Sequence, residues 1–254
     1  MNSLRAYRKL VWTEMKLYLR EPIAMFFTLG FPLMMLFLFG GVYGNQPAAL
    51  FGGRGTVDVS VPSWAAMIIG TTGLMSLVPL IAGYRERGIL RRFSTTPLSP
   101  LTYVAAQVSV LFTMTVSGMV LLIVAAKLVY NLRFSGNPLS VAAAFVLASF
   151  SFFAFGLLLS GILPTYRTAS AVSMVIFYPM LFLSGAGMPR ELLPDAMKRI
   201  GDAFPMTYAV TLLKGLWFGE PWAKFGREVA VLAGTLVISL ALSSRWFNWN
   251  GREG

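Results

Sequence analysis

The chain alternates long uncharged stretches with short charged ones, and the uncharged stretches set the architecture. Five of them are about the length that a helix needs to cross the hydrocarbon core of a bilayer: Ile23 to Tyr43, Val61 to Gly83, Leu101 to Ala126, Pro138 to Pro164 and Thr168 to Pro189. They are continuous apolar runs, not alternating ten-residue segments, so helices rather than barrel strands are expected. A sixth run, Val229 to Ser244, is shorter, but Phe225 before it and Trp246, Phe247 and Trp249 after it supply interfacial anchors, and Arg227 can snorkel. Ahead of the first run, residues 2–21 carry Leu4, Tyr7, Val11, Met15 and Tyr18 at three- and four-residue steps, with Arg5, Arg8, Lys9, Lys16 and Arg20 on the other side and Trp12 near the boundary. This is the pattern of an amphipathic helix lying at the membrane interface.

The stretch 190–224 is the ambiguous one. Glu191, Asp195, Lys198, Arg199 and Asp202 suit a short helix; Pro205 and the apolar run Met206 to Leu213 follow, then Lys214. A full crossing by Pro205 to Ala223 would put Lys214 near the bilayer centre at a cost of roughly 2.5–3.5 kcal/mol. A re-entrant hairpin avoids that cost, with Pro205, Gly215 and Gly219 as its breaks, provided its backbone is buried in protein. The expected fold is therefore all-α and polytopic: one transmembrane domain over 1–254, with an interfacial helix, six spans and a re-entrant hairpin before the last. The loop Asn45 to Ser60, rich in glycine, reads as a small flexible connection.

Composition agrees with the bilayer as solvent: 56% of residues are hydrophobic and 12% charged, and the mean hydropathy is +0.69. A soluble enzyme is excluded. Charge then sets orientation. On one side lie Arg5, Arg8, Lys9, Lys16, Arg20, Arg85, Arg87, Arg91, Arg92, Arg167, Arg245 and Arg252; the other side's short loops hold only Arg54, Lys127 and Arg133. This asymmetry predicts both termini in the cytoplasm.

The chemistry available is sparse. The chain has no cysteine and no histidine, which removes thiolate nucleophiles, cysteine metal sites and the commonest general base. The first five runs contain no ionisable side chain other than tyrosine, so a proton relay is not expected, and no Gly-x-x-x-x-Gly-Lys-Ser/Thr phosphate loop occurs. If transport is driven, the energy comes through another polypeptide. The loop after the second run, 84–100, is where such coupling belongs. Tyr84, Arg85, Glu86, Arg87, Gly88, Ile89, Leu90, Arg91, Arg92 and Phe93 form a short charged helix candidate, stopped by Thr95-Thr96-Pro97-Leu98-Ser99-Pro100. Glu86 and Arg87 are placed for salt bridges to a partner, and Ile89, Leu90 and Phe93 give an apolar edge to seat in its groove. Gly40 with Gly44, and Gly156 with Ser160, offer small-residue spacings for a helix–helix or dimer contact.

Arg20-Glu21-Pro22 entering the first span, Glu86-Arg87-Gly88 after the second, Ser99-Pro100 closing that loop, and Phe182-Leu183-Ser184-Gly185, Met188-Pro189, Leu193-Pro194 and Phe204-Pro205-Met206-Thr207-Tyr208 before the last span occur in a characteristic order. Together they resemble the ABC-2 permeases of ABC transporters, in particular the daunorubicin-resistance-like branch, over nearly the whole chain. The resemblance implies a bacterial cytoplasmic-membrane exporter subunit without its own ATPase site. It implies a homodimer resting on two copies of a separate ATP-binding subunit that carries ATP and Mg, with no cofactor on this chain. It also implies that the coupling helix maps to Tyr84–Arg92 and that spans two and five line the path. Those spans offer Met67, Leu74, Met75, Met174, Phe177, Tyr178, Met180 and Phe182, a soft aromatic lining suited to an amphiphilic drug, antibiotic or lipid-linked compound. An ATPase-independent channel or a lipid-scrambling protein is the alternative.

Overall fold

A computed structural model describes residues 3–90 and 100–246. It is almost wholly helical. Helix α1 (Ser3–Tyr18) is followed by α2 (Pro22–Tyr43), α3 (Thr56–Glu86), α4 (Pro100–Tyr130), α5 (Pro138–Ile162), α6 (Tyr166–Leu183), α7 (Asp195–Gly201), α8 (Pro205–Trp217) and α9 (Gly226–Trp246). Among the described residues six helices, α2 to α6 and α9, are long and apolar enough to cross a membrane. A two-residue hairpin, β1 (Pro47–Ala48) with β2 (Arg54–Gly55), joins α2 to α3.

Several ends follow from local chemistry. Pro22, Pro138 and Pro205 occupy first-turn positions, where a missing N–H costs nothing. Asn137 caps α5 by accepting from the backbone of Leu139 and Ser140, and the Thr165 hydroxyl caps α6 at Thr168 N. Proline also explains the two irregular turns. Helix α2 widens into a π turn at Phe26–Gly30, just ahead of Pro32, and α3 does so at Thr71–Ser76, just ahead of Pro79. Each proline lacks an N–H and its ring crowds the carbonyl four residues back, and a widened turn absorbs the misfit.

Span α3 is the buried centre. Every residue from Thr56 to Leu74 is buried, packed by α2, α4, α5, α6 and α8. Spans α2, α6 and α9 are largely exposed on the outside of the bundle, with α9 lying along α5. Close approaches are made by glycine. A Cβ on Gly156 of α5 would overlap the Gly73 carbonyl oxygen, and one on Gly40 would strike the Tyr130 ring. Gly40 and Gly156 thus serve packing within the chain, as does Ser160, which is fully buried and donates to the Leu157 carbonyl.

Several expected boundaries are corrected. Helix α3 begins at Thr56, so the Asn45–Ser60 connection is shorter and more ordered than its glycines suggest, and it takes a buried Asp58 into the span's first turn. The Asp58 carboxylate accepts from Asn45 Nδ2 at 2.9 Å and from Arg133 N at 2.9 Å, while Asn45 also donates to the Tyr130 carbonyl, tying the α2–α3 connection and the start of α3 to the α4–α5 connection. Helix α6 stops at Leu183, not Pro189, because Gly185 turns the chain at φ +91. Gly215 is no break: it lies inside α8, where the Phe225 ring fills the space a Cβ would take, and the turn comes at Gly219, φ +83. The helix α8 starts deep, with Met206 against Gly70 and Phe177, and ends beside the 131–137 connection, where Gly136 meets the Leu216 carbonyl. Phe247, Trp249 and the residues after them lie outside the described residues.

Candidate functional site

The end of the bundle that carries α1 brings the predicted coupling residues together. Helix α1 presents Tyr7, Leu10, Val11, Met15 and Tyr18 to the protein, and its Tyr7 hydroxyl meets Ser109 Oγ at 2.6 Å. The stripe assigned to a membrane surface is therefore covered by α4 and its neighbours. In the middle of it sits Glu14, buried beside Gln107 and Tyr84. Gln107 in turn donates to the Tyr103 hydroxyl at 2.6 Å. Burial pushes the Glu14 carboxyl above the usual carboxylate range, against the opposing influence of the neighbouring Gln107 and Tyr84, and Glu21 adds to the rise. The Tyr18 hydroxyl reaches Thr28 Oγ1 at 2.6 Å, anchoring the far end of α1 on the π turn of α2.

At the end of α3, two adjacent residues of opposite charge meet two helix ends of opposite polarity. Arg85 donates to the Gly161 carbonyl at 2.7 Å and to the Leu163 carbonyl, capping the C-terminus of α5. Glu86 accepts from Tyr166 N at 2.8 Å, at the N-terminus of α6. Each charge has the sign that its helix end favours. The end of α3 thereby holds the α5–α6 connection from both sides.

Past Glu86 the chain turns at Arg87 and Gly88, where φ is +66. Arg87 is exposed, Ile89 half-buried and Leu90 fully buried with Tyr18, Ile81 and Tyr103. The uninterrupted helix expected from Tyr84 to Arg92 is thus broken at Gly88, and Leu90 seats in its own chain. Arg91, Arg92, Phe93 and the stop at Thr95–Ser99 lie outside the described residues.

The path candidates separate into two groups. Met67, Leu74, Phe177 and Met180 are buried in the chain's own core and Met75 packs against it, whereas Met174, Tyr178 and Phe182 stand exposed on one face of α6.

A cavity of about 370 Å³ at the opposite end was not foreseen; Arg54, Ser184, Arg190, Lys214, Phe218 and Glu220 are among its lining. The signal for it was present: Arg54 is one of the few basic residues on the base-poor side.

The family model described as ABC-2 type transporter matches residues 5–218. The ycf38 transport permease of Porphyra purpurea is 27% identical over 206 residues, covering 80% of this chain and 70% of its own length. A daunorubicin resistance ABC transporter permease protein, DrrB1 of Streptomyces coeruleorubidus, is 25% identical over 252 residues, 93% of this chain and 84% of its own. Nodulation protein J of Rhizobium leguminosarum bv. viciae is 28% identical over 94 residues, 37% of this chain and 36% of its own. With the matched segment running from α1 through α8 and six helices fit to cross a membrane, the chain belongs to the ABC-2 type transporter family of multi-pass membrane proteins.

Proposed function

We propose that this chain is the membrane half of an ATP-driven exporter. Two copies form the path, two separate ATP-binding subunits dock on the α1 end, and an amphiphilic small molecule or lipid-linked compound moves outward through the bacterial cytoplasmic membrane. The excess of basic residues on the α1 end supports a cytoplasmic placement of both termini, and the drug-resistance relative supports the cargo class. The burial of α8 in protein, from Met206 to Trp217, supports its reading as a re-entrant helix on the outer side.

The observation that carries the proposal is the clamp at the end of α3. A push on the exposed turn at Arg87 passes through Arg85 and Glu86 to α5 and α6, and through Tyr84 and Glu14 to α1. The end of α3 thus links to three other helices, which is what conversion of an ATPase motion into helix movement requires. ATP and Mg then act on the partner, and this chain contributes docking and the path. Such a coupling surface divides into two jobs, Arg87 for docking and Glu86 for transmission.

Affinity purification in mild detergent tests this directly. A Walker-motif ATPase should accompany the chain; Arg87→Glu should reduce its recovery several-fold with unchanged melting, since exposed substitutions cost little stability. Glu86→Ala should keep the ATPase but lower export. Recovery of no ATP-binding protein under any condition would leave a channel or a lipid scramblase in place of the exporter.

A further inference from the structure

We propose that the cavity between α8 and the α2–α3 connection is a recognition site for the anionic group of an amphiphile, a carboxylate or phosphate carried on an apolar body. The proposal rests on the exporter reading for its place at the outer end of the path. Its basis is the composition of the cavity wall. Among the described lining residues three are cations, Arg54, Arg190 and Lys214, against one acid, Glu220. Glu220 is held by Lys224 at 3.3 Å, and Arg190 is bonded to Asp202 and to the Lys198 carbonyl. Arg190 is therefore fixed in the wall, of which Arg54 and Lys214 are the other two cations.

The geometry of Arg54 favours an anion. Its guanidinium lies 3.6 Å above the Phe218 ring. Because the donors of a guanidinium lie in its plane, stacking on the ring face leaves them directed sideways for a bidentate acceptor. Lys214 stands on the one face of α8 that is not wholly buried. Its residues Thr211 and Lys214, with Phe218 just past the helix end, line the cavity. Half-buried in a wall that also holds Val210, Phe218 and Phe225, the Lys214 charge acts in a lower dielectric than at an open surface. The apolar members of the wall suit the first carbons of a tail. The volume, about 370 Å³, accepts a charged head with part of its body, within the roughly 300–1,000 Å³ of small-molecule sites.

The positions also run against the charge pattern of the rest of the chain. Basic residues are scarce in the short connections at this end, yet Arg54, in the most glycine-rich of them, is brought to the same cavity as Lys214 by the β1–β2 hairpin and the turn at Gly185.

The test uses the full chain in phosphatidylcholine nanodiscs, with dansylaminoundecanoic acid as probe and its methyl ester as the neutral control. The acid should bind about tenfold or more tightly than the ester, the size expected for a charge-assisted contact. Arg54→Gln and Lys214→Gln should each remove most of that preference and leave ester binding unchanged; Lys214→Arg should keep it, and Glu220→Gln should increase it. Arg54 is exposed, so its variant tests the site even where the Lys214→Gln chain fails to fold. Phosphatidylglycerol built into the disc distinguishes the sources: competition with the probe assigns the site to a lipid headgroup, and undiminished binding of the acid assigns it to a free amphiphile. Equal affinity for acid and ester, or unchanged preference in Arg54→Gln and Lys214→Gln chains of normal melting, overturns the proposal. The assay contains no ATPase, so its failure leaves the exporter reading standing, and failure to recover an ATPase leaves the site standing.

Discussion

Spans α3 and α6 were paired as walls of one path, yet they stand in opposite surroundings. Helix α3 is enclosed on all sides by its own chain from Thr56 to Leu74, while α6 turns Met174, Val175, Tyr178 and Phe182 outward. The same soft, aromatic residue types therefore serve two ends. On α3, and at Phe177 and Met180 of α6, they fill the core of the subunit; at Met174, Tyr178 and Phe182 they form an exposed face. Residue chemistry suits both jobs equally, and only the neighbours of each helix separate them. The clamp at Arg85 and Glu86 joins the two, since it attaches the end of the buried helix to the start of the exposed one.

The largest effect comes from wedging the buried helix away from its neighbour. In Gly156→Val the new Cβ would overlap the Gly73 carbonyl oxygen, and backbone cannot yield as a flexible side chain does. The expected outcome is loss of monodisperse protein by size-exclusion chromatography after detergent extraction. The equivalent change at Gly234 of α9, where nothing lies within 4 Å of the place a Cβ would take, should leave extraction normal. Normal extraction of Gly156→Val would mean that α3 and α5 are not packed this closely.

A smaller effect separates the two path groups. Leu74→Ala removes a fully buried side chain and should cost about 2–4 kcal/mol in thermal or denaturant unfolding. Phe182→Ala, on the exposed face of α6, should cost less than about 0.5 kcal/mol in the isolated chain yet weaken cross-linking between copies or export. Equal destabilisation by the two would erase the distinction between core and face.

The spans themselves were legible because a bilayer demands long uncharged runs, and all six appear where the pattern puts them. Ends were less legible. The connection 45–60 read as a flexible loop from its glycines, but Asn45 and the Arg133 backbone satisfy the Asp58 carboxylate and let the helix start earlier. The π turns had a signal in Pro32 and Pro79 that hydropathy does not register. At the coupling turn, the sequence showed a charged segment but not its direction. Arg85 and Glu86 read as residues for a partner, because nothing local reveals that the α5 and α6 ends lie beside them. Leu90 read as a seat for the same reason. The cavity at the far end was hidden by distance along the chain, since Arg54, Arg190 and Lys214 meet only through the fold.

The smallest effect lies at the junction of α1 with the end of α3, and α6 has no counterpart to it among the described residues. Glu14 is buried there between Gln107 and Tyr84, with Glu21 adding like charge, and its carboxyl holds a proton more readily than an exposed glutamate. The folded chain consequently binds more protons than the unfolded one between the ordinary value of 4.5 and the raised one. In that window the contribution of Glu14 to stability falls as pH rises, and above it the desolvation penalty is fully present. The melting temperature should therefore decline across the window and then level off as far as this group is concerned. Glu14→Gln keeps the shape and a hydrogen-bonding group while removing the charge. It should flatten that part of the profile and melt slightly higher than the parent chain at pH 7. Since Glu14 is buried beside Tyr84 of α3, the same substitution should also tighten α1 against α3, read as slower hydrogen exchange in α1. A variant whose profile follows the parent's at every pH would show that Glu14 is solvated in the membrane-bound protein and that α1 rides loosely on the end of the buried helix.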